Sequence, residues 1–292
     1  MKIKSSRGEV AFQACNTLLM AVFILITAYP LLYVAFASVS LPEQMLSHKG
    51  ILWKPLGFTM QAYADVIRSA NVGTGYLNTI FIVVVGTTYS LFITALTAYV
   101  LSRKNVFWNK YIMVMIVFTM FFNGGLIPFF LIVKGMGLRN SLFSLIIPFS
   151  VNTFNIILMR TNFQSIPDSI EESAKLDGAS HWTVLFKIII PLSLPVIAVM
   201  ILFYSVEKWN GWFYASIFIQ DRNKYPLQLI LRDVLIANST DGMSGGNVTD
   251  NYMKSITIKY ATIIIATLPI MCVYPFLQKY FVKGMMVGAI KG

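Results

Sequence analysis

Charge is what this chain has least of. Only 12% of its 292 residues are Asp, Glu, Lys or Arg, about half the share of a soluble domain. So few charges argue against an ordinary water-facing globule. Acidic residues are the scarcer kind, 12 against 23 basic ones, which leaves a formal net charge of +11. The basic residues flank apolar runs and form no arginine-rich stripe with spaced aromatics. No nucleic acid partner is therefore expected, and attraction to anionic lipid head groups accounts for the surplus. Cysteine is nearly absent: Cys15 and Cys272 each lie inside an apolar run. That excludes a disulfide framework and a cysteine-rich metal site. The two histidines, His48 and His181, are far apart and lack ligand-spaced neighbours. There is no Gly-x-x-x-x-Gly-Lys-Ser/Thr run, so a phosphate-cradling loop of that type is missing. Nothing resembles a hydrolytic triad, a paired-carboxylate site or a zinc site. Neither catalysis nor a cofactor is expected in this chain.

What is present is apolar: 57% of the residues are hydrophobic. They gather in six long uncharged stretches, and a spanning helix needs about 20 such residues. The spacing predicts spans near 11–38, 76–101, 111–133, 140–160, 188–206 and 260–278. Period-2 alternation is absent, which argues against a transmembrane barrel. The expected fold is an all-α integral membrane protein with six transmembrane helices in a single domain, 1–292. The first span has a basic start like a signal peptide, but its apolar run far exceeds the roughly 7–15 residues of one. A retained helix is expected there. After it, Thr59 marks the start of a short helix, Met60 to Arg68.

Six spans put both termini on one side. Lys2, Lys4 and Arg7 precede the first span, and Lys279, Lys283 and Lys291 follow the last. Arg103, Lys104 and Lys110 sit in the short loop after the second, against Lys134 and Arg139 after the third. The positive-inside rule counts such flanks. It places both termini, the loop 102–110 and the loop 161–187 in the cytoplasm. The region 207–259 then lies outside. Its stretch Asn238 to Asn251 reads as a flexible loop, and the two Asn-x-Thr triplets in it as loop chemistry.

The loop 161–187 is the most informative part of the chain. Pro167 suits a first helical turn, and Ser165 is a candidate cap. Asp168, Glu171 and Glu172 place negative charge at the positive end of the helix dipole. Glu171 and Lys175 form a favourable i, i+4 pair, and Gly178 suits the C-terminal break. The helix Pro167 to Leu176 would be about 15 Å long, too short to cross a bilayer, so it lies on the surface. Ile166, Ile170 and Ala174 share an apolar face. Pro191 and Pro195 should kink the fifth span, so a push on the short helix would reach that span.

The residues Glu172-Ser173-Ala174, Gly178, Ile188 and Ile190-Pro191 have the spacing of a known motif. It resembles the EAA loop of binding-protein-dependent ABC importer permeases, with Ser173 in place of an Ala and Ile190 in place of a Leu. The longer run, EESAKLDGAS followed by PLSLP, resembles the carbohydrate-uptake, maltose-type branch. Phe58 to Tyr63, Leu77-Asn78-Thr79, Trp209-Asn210, Tyr225-Pro226-Leu227 and the tail Gln278 to Gly292 resemble further segments of that family in order. The resemblance implies the type I importer transmembrane fold in a bacterial inner (plasma) membrane. It implies that the short helix is a cytoplasmic coupling helix, with Glu172, Ala174, Asp177 and Gly178 as coupling positions and Glu171 flanking them. It further implies a second homologous permease, two cytoplasmic ATPase domains that carry ATP and Mg, and an extracytoplasmic solute-binding protein. The cargo would be a carbohydrate moved by alternating access.

No predicted span core holds Asp, Glu, Lys, Arg or His, which disfavours an ion-coupled secondary transporter, the rival reading. A neutral polar solute needs amides, hydroxyls and aromatic faces. Asn123, Asn152, Asn155, Tyr204, Trp209, Asn210 and Trp212 are the candidate pathway residues. Trp209 and Asn210 lead because the resemblance also falls on them. Another polar solute in place of the carbohydrate stays open.

Overall fold

The computed structural model describes residues 7–240, 255–272 and 275. Helices are the only regular secondary structure among them. The described residues fall into two compact units, one drawn from 1–69 and 233–267, the other from 70–232 and 268–292.

In the first unit, α1 (Arg7–Ser38) is 32 residues long with Pro30 inside it. Its middle is apolar on every side and exposed, including Leu18, Phe23, Ile24 and Leu25, as suits a helix surrounded by lipid or other helices. Its end is anchored. Ala37, Met45 of α2 (Pro42–Ser47) and Leu52 form a small core with Tyr33, Phe36, Leu56, Ile256 and Tyr260 packed around it. The Leu52 N–H donates to Tyr29 Oη at 3.0 Å, and the Leu56 N–H to Ser40 Oγ at 3.0 Å. The predicted short helix is present as α3 (Gln61–Arg68). Thr59 does mark its start, accepting the Gln61 N–H at 3.2 Å.

The second unit is built on α4 (Ala70–Ser102), a single helix of 33 residues with no proline. After it come α5 (Asn109–Phe121), α6 (Leu126–Gly135), a 3₁₀ turn at Leu142–Leu145 and α7 (Thr153–Gln164). The short α8 (Asp168–Leu176) and α9 (His181–Val184) precede a π-helical turn, Leu185–Ile189. The chain continues as α10 (Ile190–Leu192), α11 (Leu194–Trp209), α12 (Trp212–Phe218), a 3₁₀ turn at Arg222–Lys224 and α13 (Leu227–Thr240). A last described helix, α14 (Ser255–Cys272), belongs to the first unit as far as Thr267, as does α13 from Asp233 on.

One face of α4 carries Thr87, Ser90, Thr94 and Ala98, all buried. Small residues at this spacing let another helix approach closely in a membrane. Thr94 and Tyr204 of α11 hydrogen-bond at 2.6 Å, and Thr87 and Ser205 at 3.3 Å. Around this seam lie Ala95, Tyr99, Met159, Phe163, Leu185, Ile189 and Met200.

The six expected spans are not six unbroken helices. Among the described residues three helices, α1, α4 and α14, are long and apolar enough to cross a membrane alone, and two bent pairs would raise this to five. The stretch 111–133 is bent by 115° between α5 and α6. There Gly125 takes φ +84°, and its N–H donates to Asn123 Oδ1 at 2.9 Å. The stretch 188–206 is bent by 86° at Ser193, beside Pro191 and Pro195 as expected. The stretch 140–160 is no single helix. Asn140 adopts φ +57°, the 3₁₀ turn follows, and Asn152 caps a new start at α7. With 12 residues, α7 extends only about 18 Å. The region expected outside, 207–259, is also partly helical at both ends, since α11 continues to Trp209 and α14 begins at Ser255. Asn238 to Thr240 belong to α13. The rest of the expected flexible loop to Asn251, and the basic tail, lie outside the described residues.

Near its start, α4 meets α13 closely. A Cβ on Gly75 would stand 2.5 Å from Ile230 Cδ1 and 3.3 Å from Leu227 Cα. Gly75→Leu should therefore lower stability by about 1–3 kcal/mol through overpacking. A fall in the thermal midpoint of the detergent-purified protein checks this, with Gly73→Leu as the control, because a Cβ at Gly73 meets nothing within 4 Å.

Candidate functional site

Helix α8 forms close to where the sequence places it. Pro167 disfavours helical geometry at Ile166, so α7 stops at Gln164 and α8 starts at Asp168. The expected cap, Ser165, belongs instead to the end of α7, its Oγ donating to the Asn162 carbonyl at 2.7 Å. Pro167 takes the N-cap position without any side-chain bond. Asp168 and Glu171 lie in the first turn, where the helix dipole favours them. At the other end Gly178 adopts φ +78°. Its N–H donates to the Lys175 carbonyl at 3.0 Å, and the Ala179 N–H reaches the Ala174 carbonyl at 2.9 Å. These are the paired bonds of a Schellman ending. It brings Ala174 and Ala179 together against the core, along with Ile166. Ile170, expected on the same face, stays exposed.

The two adjacent glutamates have opposite fates. Glu172 is exposed and Glu171 is buried. The carboxylate of Glu171 pairs with the Arg103 guanidinium just past the end of α4, and with Lys175 Nζ at 2.9 Å. The Tyr99 hydroxyl donates to it at 3.4 Å and lies 3.1 Å from His181 Nδ1. Arg103 also stacks over the Tyr99 ring at 5.0 Å and donates to the Phe163 carbonyl at 3.4 Å. Side-chain exposures of 15% for Arg103 and 7% for Glu171 mark this as a partly desolvated pair. Burial pushes the Glu171 pKa upward, but the Lys175 hydrogen bond and the charges of Arg103 and Lys175 outweigh it and hold it below the ordinary value. A second pair, Lys104 Nζ to Asp168 Oδ2 at 2.6 Å, is exposed. Its hydrogen bond raises the Lys104 pKa and lowers that of Asp168. Exposed pairs of this kind add little to stability.

Beside this network opens a pocket of about 760 Å³, lined by residues that include Tyr99, Arg103, Lys104, Glu172, His181 and Trp182. Leu176 at the end of α8 is 90% exposed. Glu172, Asp177 and Gly178 are thus presented to solvent, Ala174 is half-buried against the core, and Glu171 faces inward. In the sequence Arg103 and Lys104 mark only the topology, yet in the structure they hold Glu171 and Asp168. Their spacing from α8 along the chain gave no signal of the contact.

None of the seven candidate pathway residues lines the 760 Å³ pocket. Asn123 and Asn152 serve turns and caps. Asn155 and Tyr204 are buried. Trp209 sets its ring edge against Tyr76, with centroids 6.2 Å apart. Asn210 donates to the Val206 carbonyl at 2.9 Å, and Trp212 lies under the Arg232 guanidinium at 4.9 Å. Lys208 lies just beyond the predicted span 188–206, yet α11 includes it. It is buried in the last turn of α11, against the face of α4 left open by Gly86, and donates to the Phe149 carbonyl at 3.3 Å.

Comparison with known proteins matches residues 90–287 to the family described as binding-protein-dependent transport system inner membrane component. The polygalacturonan/rhamnogalacturonan transport system permease protein YtcP of Bacillus subtilis (strain 168) is 41% identical over 276 residues, covering 94% of this chain and 96% of that one. Protein LplC of the same strain is 41% identical over 288 residues, covering 99% and 97%. A solved bacterial ABC transporter involved in the import of the acidic polysaccharide alginate contains a chain that superposes with TM-score 0.87. The two are 33% identical, and the match covers 96% of this chain and 100% of that chain.

Glu171→Ala should destabilise the protein by about 3 kcal/mol, because it leaves Arg103 partly buried without its carboxylate. Glu172→Ala should change stability by no more than about 0.5 kcal/mol. Thermal melts of both variants in detergent check the contrast. The pH dependence has a definite sign. A carboxyl held below its ordinary value of 4.5 contributes stability in full above that value and loses it as pH falls through the lowered one. Melts between about pH 6 and pH 3 should show part of the acid loss vanish in Glu171→Gln.

Proposed function

This chain belongs to the family of binding-protein-dependent transport inner membrane components, and from that premise we propose how it works as the permease subunit of an ATP-driven sugar importer. It is a translocation subunit of the bacterial membrane, not an enzyme. In the proposed reading α8 is the coupling helix and lies on the cytoplasmic side, together with both termini. An ATPase subunit that binds ATP and Mg receives the exposed Glu172, Asp177 and Gly178, with the half-buried Ala174 beneath them as the small residue that lets it approach. A carboxylate there can make charge-assisted bonds to an arginine or lysine of that partner. A second homologous permease completes the transmembrane pathway, and an extracytoplasmic binding protein delivers the cargo. Alternating access then moves the sugar inward.

The observation that carries this reading is the presentation of α8. It is short and ended by a glycine in left-handed geometry. Its inner glutamate is tied to the protein, and its outer glutamate and tip are free for a partner. The substrate class we infer is an oligosaccharide bearing uronic acids. It rests on two relatives: the names of both, polygalacturonan and alginate, denote polyanionic carbohydrates. The candidate pathway residues, Trp209 and Asn210 foremost, remain the positions to probe for cargo contact.

The test uses the complex reconstituted in proteoliposomes with its ATPase and binding protein. Glu172→Arg and Gly178→Val should each lower uptake of an oligogalacturonide by at least about tenfold. Gly178→Val also strains the φ +78° position by about 1–2 kcal/mol. Normal ATPase assembly and uptake after both changes would sink the coupling assignment. Uptake driven by an ion gradient without any ATPase would favour the secondary-transporter rival. Preference for a neutral oligosaccharide of equal length would overturn the uronate class.

A further inference from the structure

Three connections leave the coupling helix. One runs back through Ser165 and Ile166 to α7. The second runs forward to α11, the route expected from sequence. That route is mechanically interrupted. It passes through the π-helical turn Leu185–Ile189, then Pro191 and Pro195, and bends by 86° at Ser193. The Ser193 hydroxyl is buried and makes no hydrogen bond. The route from α8 to α11 therefore runs through a π turn, two prolines and a sharp bend and is not one straight helix.

The third connection is lateral. Glu171 is fixed to Arg103 at the end of α4, with Tyr99 of the same helix beside it. Helix α4 is continuous from Ala70 to Ser102. Its opposite end grips another segment. Asn78 Nδ2 donates to the carbonyls of Asn223 at 2.8 Å and Tyr225 at 3.1 Å. Thr79, fully buried, accepts the Leu227 N–H at 2.8 Å through its hydroxyl. Between these two attachments lie 24 helical steps, about 36 Å, more than the roughly 30 Å of a bilayer's hydrocarbon core.

We propose that α4 is a through-membrane rod that joins the coupling helix at Glu171–Arg103 to the segment 222–227 on the opposite face of the membrane. Movement of α8 when the ATPase closes shifts α4 along or about its axis, and Asn78 and Thr79 carry that shift to the far segment. The bent joint at Ser193 lets α11 adjust without following rigidly. By reciprocity of coupled equilibria, a binding protein that engages the far face biases the same rod and so stimulates ATP hydrolysis. Asn78, Thr79, Glu171 and Arg103 are positioning residues in this scheme. None needs to touch sugar or nucleotide.

The inference rests on the importer reading above, and the experiment separates the two. In the reconstituted complex, ATPase rates are measured with and without the ligand-loaded binding protein, beside thermal midpoints. Thr79→Val keeps the side-chain shape but removes the acceptor for the Leu227 N–H. It should lower the stimulation by about fivefold or more while leaving the basal rate unchanged, and Thr79→Ser should retain the stimulation. Glu171→Gln should also lower the stimulation. Combined with Thr79→Val, it should go no lower than the stronger single change, because both cut one linkage. Full stimulation in Thr79→Val would overturn the rod. So would losses that multiply independently in the double variant, or losses that track the thermal midpoint and reduce the basal rate equally. A wild-type complex that shows no ATP-dependent uptake overturns the importer reading itself.

Discussion

The ion pair between Glu171 and Arg103 is the constraint on which the rest of the second unit turns. Taking two charges partly out of water is unfavourable unless their remaining hydrogen-bonding capacity is met. Here it is met locally. Lys175 and Tyr99 reach the carboxylate, while the Phe163 carbonyl and the Ser102 hydroxyl take N–H groups of the guanidinium. The cluster therefore draws α4, α7 and α8 to one point, from positions 60 and 68 residues apart along the chain. Arg160 Nε and Asn109 Nδ2 add bonds to the Leu101 carbonyl close by. A helix end in a membrane protein needs such partners for its last carbonyls, since lipid offers none.

Away from that point, cohesion comes from shape rather than charge. Helices in lipid gain no hydrophobic driving force from meeting each other, so close approach and interhelical hydrogen bonds must hold them. The face of α4 with Thr87, Ser90, Thr94 and Ala98 provides both. The helices around it are broken, and the breaks at Gly125 and before α7 are furnished with partners. Asn123 serves the Gly125 N–H, and Asn152 that of Asn155. Lys208 belongs to the same pattern. Its stem lies where Gly86 has no side chain, and its ammonium reaches a carbonyl of the irregular stretch before α7.

Local signals were legible in the sequence. Thr59, Pro167, the Glu171–Lys175 spacing and Gly178 each predict a feature within a few residues of themselves, and each is present. The family resemblance rested on such local pieces. Signals that join distant positions were not legible. An uncharged run of 20 residues looks like one span whether or not Gly125 or Asn140 bends it, because hydropathy records composition and not backbone geometry. Two neighbouring glutamates look interchangeable until Arg103 is seen to take one of them. The capping role assigned to Ser165 failed for a simple reason: Pro167 already determines where α8 begins, and the serine falls within the end of the preceding helix.

The π-helical turn at Leu185–Ile189 has an evolutionary consequence. Such a turn is an α-helix with one residue inserted and the excess absorbed locally. Deleting one residue inside it restores ordinary α-geometry and leaves the flanking faces pointing as before. An insertion or deletion elsewhere in a packed helix would rotate everything beyond it by about 100°. The segment between His181 and Ile190 can thus lose one residue without re-facing α8 or the helix that follows.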